Sequence, residues 1–231
     1  MTDKPIYSVT IDTDWVPQFM LDHVLDMLRD SNVPATIFCT SPYDIEDSEQ
    51  IEIGLHPNMM ENSTHGDSEE SRFAHVASLY PNAIGCRTHS CYWHGRMYDL
   101  LIKHKIQYDS SLLVPFQDYL KSFTFRGVTR FPIWCGDNLY MHLNPDTAVF
   151  NPSGMDTPGL KVLHFHPVHI WFNSRTVDET RAILDGRSLP ELNRKEAHAL
   201  RRKGNGLEKI FADALRQLSG KENTHTLRSL L

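Results

Sequence analysis

Short β-rich runs alternate with helical stretches along most of this chain, and several of the β-rich runs end in acids, histidines or an arginine. Residues 6–11 (IYSVTI) are one such run, closing on Asp12-Thr13-Asp14. Residues 17–30 carry Met20, Leu21, Val24, Leu25 and Leu28 at helical spacing, with Pro17 tolerated in the first turn. The same reading predicts strands over 35–39, 51–56, 83–87, 129–134 and 161–166, and a short extended stretch at 106–108. It predicts helices over 68–80, 95–104, 176–185 and 194–218. Strands joined by helices favour a parallel α/β sheet over an antiparallel one. Asp12, Asp14, His56, Arg87, His89, Asp137, His164 and His166 all fall at strand ends. That is the rim where barrels and open α/β sheets place their chemistry.

The chain has 231 residues, enough for a large core without staples, and its net charge is 23 − 29 = −6. That balance argues against nucleic-acid binding by counterion release and against a polybasic membrane patch. No stretch approaches the roughly 20 apolar residues of a membrane span. The opening MTDKPIYSVTID has no basic stretch leading into an apolar run, so no secretory leader and a cytoplasmic location are expected. Cys39, Cys86, Cys91 and Cys135 form no C-x-x-C pair, so they read as small buried thiols rather than a zinc ribbon. One domain over 1–231 is expected, with a polar tail at 219–231 that frays.

The composition is unusual in its 13 histidines. Two carboxylates at Asp12 and Asp14 repel unless a cation or a proton intervenes, although an Asp before Pro17 also reads as a helix cap. His56, in IEIGLHPN, closes an apolar strand. Asp14, His56 and one more histidine would make a three-ligand metal site with an open position for water. In VLHFHP, strand periodicity puts His164 and His166 on one face and Leu163 and Phe165 on the other. His23, His75, His94, His104, His142, His198 and His225 read as surface or packing residues.

These motifs together resemble the polysaccharide deacetylases with the NodB-homology fold, carbohydrate esterase family 4, over about residues 6–218. SVTIDTDW resembles the family's first motif, IEIGLHPN the second, GCRTHS the third, RFPIWCGDN a divergent fourth and VLHFHP the fifth. The HPN and HFHP forms look most like deacetylases of surface-polysaccharide and O-antigen clusters. The resemblance implies an α/β fold, a distorted, incomplete (β/α) barrel of about seven parallel strands. It implies Asp12 as general base, Asp14 and His56 as metal ligands, Arg87 as the residue orienting the base, His166 as general acid and Asp137 as its support.

The sequence departs from the family pattern where a second metal histidine is expected four residues after the first, which is Met60 here. His65 is preferred as its replacement over His89, which with His164 and Trp134 is assigned to substrate binding. Trp15, Trp93 and Trp171 also lie near motifs, as sugar-stacking faces or plain core. The resemblance then implies a metal-dependent hydrolase of carbohydrate metabolism, most simply with Zn2+. It removes an N-acyl, typically N-acetyl, group from a polymeric, lipid-linked or nucleotide-linked amino sugar in surface-polysaccharide or lipopolysaccharide biosynthesis. Two other readings keep the fold: a deformylase or amidohydrolase on a non-sugar C–N bond, and a non-catalytic metal- or glycan-binding protein. No oligomeric state is read from the chain.

Overall fold

A computed structural model describes residues 4–144 and 147–231. The first three residues of the run read for a leader therefore lie outside the described residues. In chain order the elements are β1 (Pro5–Asp12), α1 (Gln18–Ser31), β2 (Ala35–Cys39), β3 (Ile51–Leu55), α2 (Glu69–Leu79), β4 (Gly85–Cys86), α3 (Met97–Lys103) and β5 (Tyr108–Asp109). They continue with β6 (Phe123–Phe125), β7 (Val128–Arg130), β8 (Ile133–Gly136), α4 (Asp137–Leu143), β9 (Gly159–Phe165) and α5 (Pro167–Phe172). α6 (Val177–Leu184), α7 (Arg194–Ala199) and α8 (Leu207–Leu218) complete the α-helices among the described residues.

The strands form one sheet in the order β6-β7-β5-β4-β3-β2-β1-β9-β8. Every neighbouring pair is parallel except β6–β7. β1 sits between β2 and β9 and is buried on both faces, with Tyr7, Val9 and Ile11 alternating with the buried polar Ser8, Thr10 and Asp12. α1 buries Met20, Leu21, Val24, Leu25 and Leu28 as one stripe and ends at Asn32 in the left-handed conformation. α8 does the same with Leu207, Ile210, Phe211, Ala214, Leu215 and Leu218.

β7 lies next to the end strand β6 and β8 is the end strand on the other side, yet only Phe131 and Pro132 separate β7 from β8 in sequence. Three Cα steps span at most about 11 Å, so the two ends of the sheet must approach each other. The sheet is therefore rolled, but not closed: an isolated bridge between Leu113 and Ile133 stands in the gap.

The structure corrects several expectations. The single strand expected at 129–134 is two strands, β7 inside one edge of the sheet and β8 at the other edge, parted at Pro132, which has no N–H to give a ladder. The helix expected over 194–218 is broken into α7 and α8, and α4, α5 and β6 were not anticipated. The tail expected to fray docks under the barrel. Thr224 bridges Tyr7, and the Leu227 N–H donates to Thr36 Oγ1. Leu227 is itself fully buried with Phe38, Tyr108, Phe131, Leu160 and Val162. A single well-placed apolar side chain outweighs the segment's polar composition. Among the described residues no helix is long and apolar enough to cross a membrane.

Candidate metal and catalytic centre

Parallel strands that start at one end of the sheet finish together at the other, so their last residues meet. The end of β1 supplies Asp12, the turn after it Asp14, the residue after β3 His56, and the residue after β4 Arg87. β9 and the residue after it supply His164 and His166, and the start of α4 supplies Asp137. They surround a cleft of about 240 Å³ lined by Asp12, Asp14, His56, His89, His164 and His166, with Leu113, Ile133 and Leu139 as apolar wall.

Arg87 is wholly buried, and each of its guanidinium nitrogens is used. Nε donates to Ser110 O, Nη2 to Ser110 Oγ, and Nη1 to Thr10 Oγ1 and to Asp12 Oδ1 at 2.9 Å. Burial raises the pKa of Asp12, but the charges of Arg87, His164 and His56 outweigh it and hold this carboxyl well below the usual carboxylate range. On its other side, Asp12 Oδ2 lies 2.9 Å from His164 Nε2, close but without hydrogen-bond alignment, and 3.6 Å from His56 Nε2.

Asp14 leaves the strand direction at a φ of 43° and its carboxylate stands between two imidazoles. Oδ1 is 3.1 Å from His56 Nε2 and 3.0 Å from His89 Nδ1. Burial opposes ionisation, yet the contacts with His56 and His89 hold its pKa low. His56 Nδ1 donates to Arg87 O at 2.7 Å, which turns Nε2 to face Asp14. His89 rides on a short turn over His89–Cys91 in which Ser90 and Cys91 take φ of 56° and 52°. Its backbone N–H donates to Pro57 O, and the neighbouring Thr88 N–H donates to Ser111 Oγ.

The donor atoms of Asp14, His56 and His89 all lie within 4.8 Å of one another. One carboxylate and two imidazoles, one of them oriented by a backbone carbonyl behind it, suit a divalent cation that retains an open position for water. Asp12, His164 and His166 form a second group of the same compactness. There, however, Arg87 already occupies one Asp12 oxygen and Asp137 occupies His166 Nδ1.

Asp137 holds His166 twice, accepting from its backbone N–H at 2.6 Å and lying 2.8 Å from Nδ1. Burial disfavours charge on this imidazole, but Asp137 outweighs it and the pKa is pushed up to about 10. Nε2 is left towards the cleft, 3.6 Å from Asp14 Oδ2.

Asp12, Asp14, His56, Arg87, His89, Asp137, His164 and His166 thus converge. Two expected residues do not. His65, preferred as the third ligand, accepts the Asn58 N–H on Nδ1 and stacks on His75 at 5.2 Å, and the third place beside Asp14 and His56 is held by His89. Trp134, assigned to substrate, is fully buried between Phe116 and the Lys161 ammonium, 4.3 Å from its ring. A register shift in β8 between Ile133 and Cys135 puts an extra residue in the strand there, and Trp134 packs away from the cleft. Sequence reasoning assigned no role to Ser110 and Ser111, which hold Arg87 and Thr88. Their place just after β5, at a strand end like the others, was the available signal.

The family model described as WbmS-like polysaccharide deacetylase matches residues 9–183. No curated protein matches. Among solved structures, a Bordetella bronchiseptica protein provisionally described as a polysaccharide deacetylase involved in O-antigen biosynthesis superposes with a TM-score of 0.79. It is 22% identical, over 91% of this chain and 90% of that one. A Mycobacterium smegmatis protein, provisionally described as a polysaccharide deacetylase, gives a TM-score of 0.48 at 14% identity over 94% of this chain and 92% of that one.

Proposed function

The chain belongs to the WbmS-like polysaccharide deacetylase family, and from that premise we propose that it is a metal-dependent hydrolase that removes an N-acyl group, chiefly N-acetyl, from an amino sugar. The observation that carries this reading is the Asp14 carboxylate set between His56 and His89, with a clamped acid, Asp12, on one side and a clamped imidazole, His166, on the other. Asp14, His56 and His89 would hold the cation, zinc being the metal best suited to a His/His/carboxylate set. A divalent cation there supplies Lewis acidity, making water a nucleophile near neutral pH and polarising the acyl carbonyl.

The chain's own groups do the rest. Asp12, fixed by Arg87, accepts a proton from the attacking water. His166, kept cationic by Asp137, gives a proton to the departing amine nitrogen. Leu113, Ile133 and Leu139 offer an apolar wall for the acyl group and sugar face. The Bordetella relative's description supports a place in surface-polysaccharide biosynthesis, with a polymeric, lipid-linked or nucleotide-linked amino sugar as substrate.

The test is a screen of the purified, zinc-loaded protein on N-acetylglucosamine as free sugar, nucleotide diphosphate sugar, lipid-linked sugar and chitooligomer, with small formamides beside them. Release of acetate from at least one sugar, abolished by a chelator, is expected. Hydrolysis confined to the formamides would overturn the sugar assignment, and turnover indifferent to the chelator would overturn the metal assignment.

A further inference from the structure

Two imidazoles flank the Asp14 carboxylate, and they are held in different ways. His56 has a carbonyl behind it: Nδ1 donates to Arg87 O, which fixes the ring and leaves Nε2 for Asp14. His89 has no such support. Its Nδ1 faces Asp14 Oδ1 at 3.0 Å, and its Nε2 makes no hydrogen bond among the described residues. Ligating histidines are ordinarily oriented by a partner on the second ring nitrogen. What holds His89 is the bond from its backbone N–H to Pro57 O and the contacts of two rings. His56 meets it at 5.6 Å and 85°, and Trp15 meets it at 5.1 Å and 70°.

Trp15 is itself firmly placed. Its backbone N–H donates to Thr40 Oγ1, which also bonds Thr13 Oγ1. It takes a φ of 57°, a left-handed conformation that bulky side chains rarely adopt, so the backbone is bent to put this ring here. His65 packs on the same indole at 5.5 Å. The loop that carries His65 is tied to α2 by the Arg72 guanidinium, which donates to the carbonyls of Met59, Glu61 and Gly66. Trp15 is not among the residues lining the cleft, so it is not placed to stack on a sugar there.

We propose that Trp15 is a positioning residue of the metal centre, an aromatic wedge that does for His89 what the Arg87 carbonyl does for His56. This rests on the metal-centre reading above. Edge-on aromatic packing has a preferred geometry, so the indole limits the swing of the His89 ring and keeps Nδ1 beside Asp14. The wedge also gives the loop after β3 a part in the centre. His65 buttresses the indole instead of serving as a ligand. Removing His65 leaves Trp15 its bond to Thr40, so the indole is the residue to vary.

Trp15→Ala and Trp15→Phe test the wedge by zinc titration against a competing chelator and by the visible spectrum of the Co2+-substituted protein, with Tm as the check on folding. Trp15→Ala should bind zinc about 10–100-fold more weakly than the wild type, the usual cost of losing a group that orients a ligand. Its Co2+ band should be weaker, because a loosened imidazole gives way to water and raises the coordination number. Trp15→Phe keeps a ring at the contact and should restore both the affinity and the band. Trp15→Gly suits the left-handed backbone and serves in place of the alanine variant if that variant fails to fold. Wild-type affinity and spectrum in the variant without the ring would overturn the proposal, as would a Trp15→Phe variant as weak as Trp15→Ala. A wild-type protein that binds no zinc would instead overturn the metal centre itself.

Discussion

The two ends of the barrel each bury a carboxylate in the same sheet, and they treat it in opposite ways. At one end Asp12 meets a guanidinium and two imidazoles and stays ionised. At the other, Glu52 on β3 is equally inaccessible, but its partners are the Thr36 and Tyr108 hydroxyls and the Arg228 backbone N–H. Burial there outweighs these neutral donors and the weaker pull of the Arg228 charge, and the pKa of Glu52 is raised. A buried acid surrounded by cations is kept as a charged reagent. One surrounded by hydroxyls and amides becomes a hydrogen-bonding hub, and here it pins the C-terminal segment under the barrel. The cleft end also carries the left-handed backbone at Asp14, Trp15, Ser90 and Cys91, where chain direction is bent to aim side chains.

Exchanging an acid at each end should separate the two roles. Asp12→Asn keeps the shape but removes the charge, and turnover should fall by about 10²–10⁴-fold with bound metal retained. Elemental analysis beside steady-state kinetics checks this, and full activity would remove Asp12 from the base role. At the other end Leu227→Ala should cost about 2–5 kcal/mol of stability by opening a cavity, with kcat unchanged. Thermal melts read it, and an unshifted Tm would show that the C-terminal segment does not contribute.

The smallest effect is expected at Glu52→Gln, and it should depend on pH. A carboxyl whose folded pKa lies above its unfolded value favours folding most below the unfolded pKa of about 4.3 and loses that contribution as pH rises through the folded pKa. The Tm of the glutamine variant should therefore gain on the wild type between acidic and neutral pH. A glutamine variant that instead loses ground to the wild type as pH rises would mean that Glu52 is held ionised, and the two ends would not differ as described.

The strand-end chemistry was legible because a parallel sheet forces it: apolar runs that stop at Asp12, His56, Arg87 and His166 must stop at the same rim. What the sequence concealed depends on chain direction after the strands end. His89, second choice to His65 in the sequence, is set beside Asp14 by the bond from its backbone N–H to Pro57 O, a contact between loops that spacing from His56 does not record. Trp134 lies near the site in sequence but falls where β8 carries an extra residue and packs into the core, an irregularity that the sequence does not mark. α7 and α8 part near Gly206, where a Cβ would sit 2.0 Å from Asn173 O, a contact between segments that no helical period records.

The account stands on the trio at the mouth of β1. Zinc titration against a competing chelator, on the wild type, His89→Ala and His65→Ala, tests it most directly. One equivalent should bind tightly to the wild type and to His65→Ala, and that tight binding should be lost in His89→Ala. Retention by His89→Ala with loss in His65→Ala would contradict the assignment of Asp14, His56 and His89 as the metal centre.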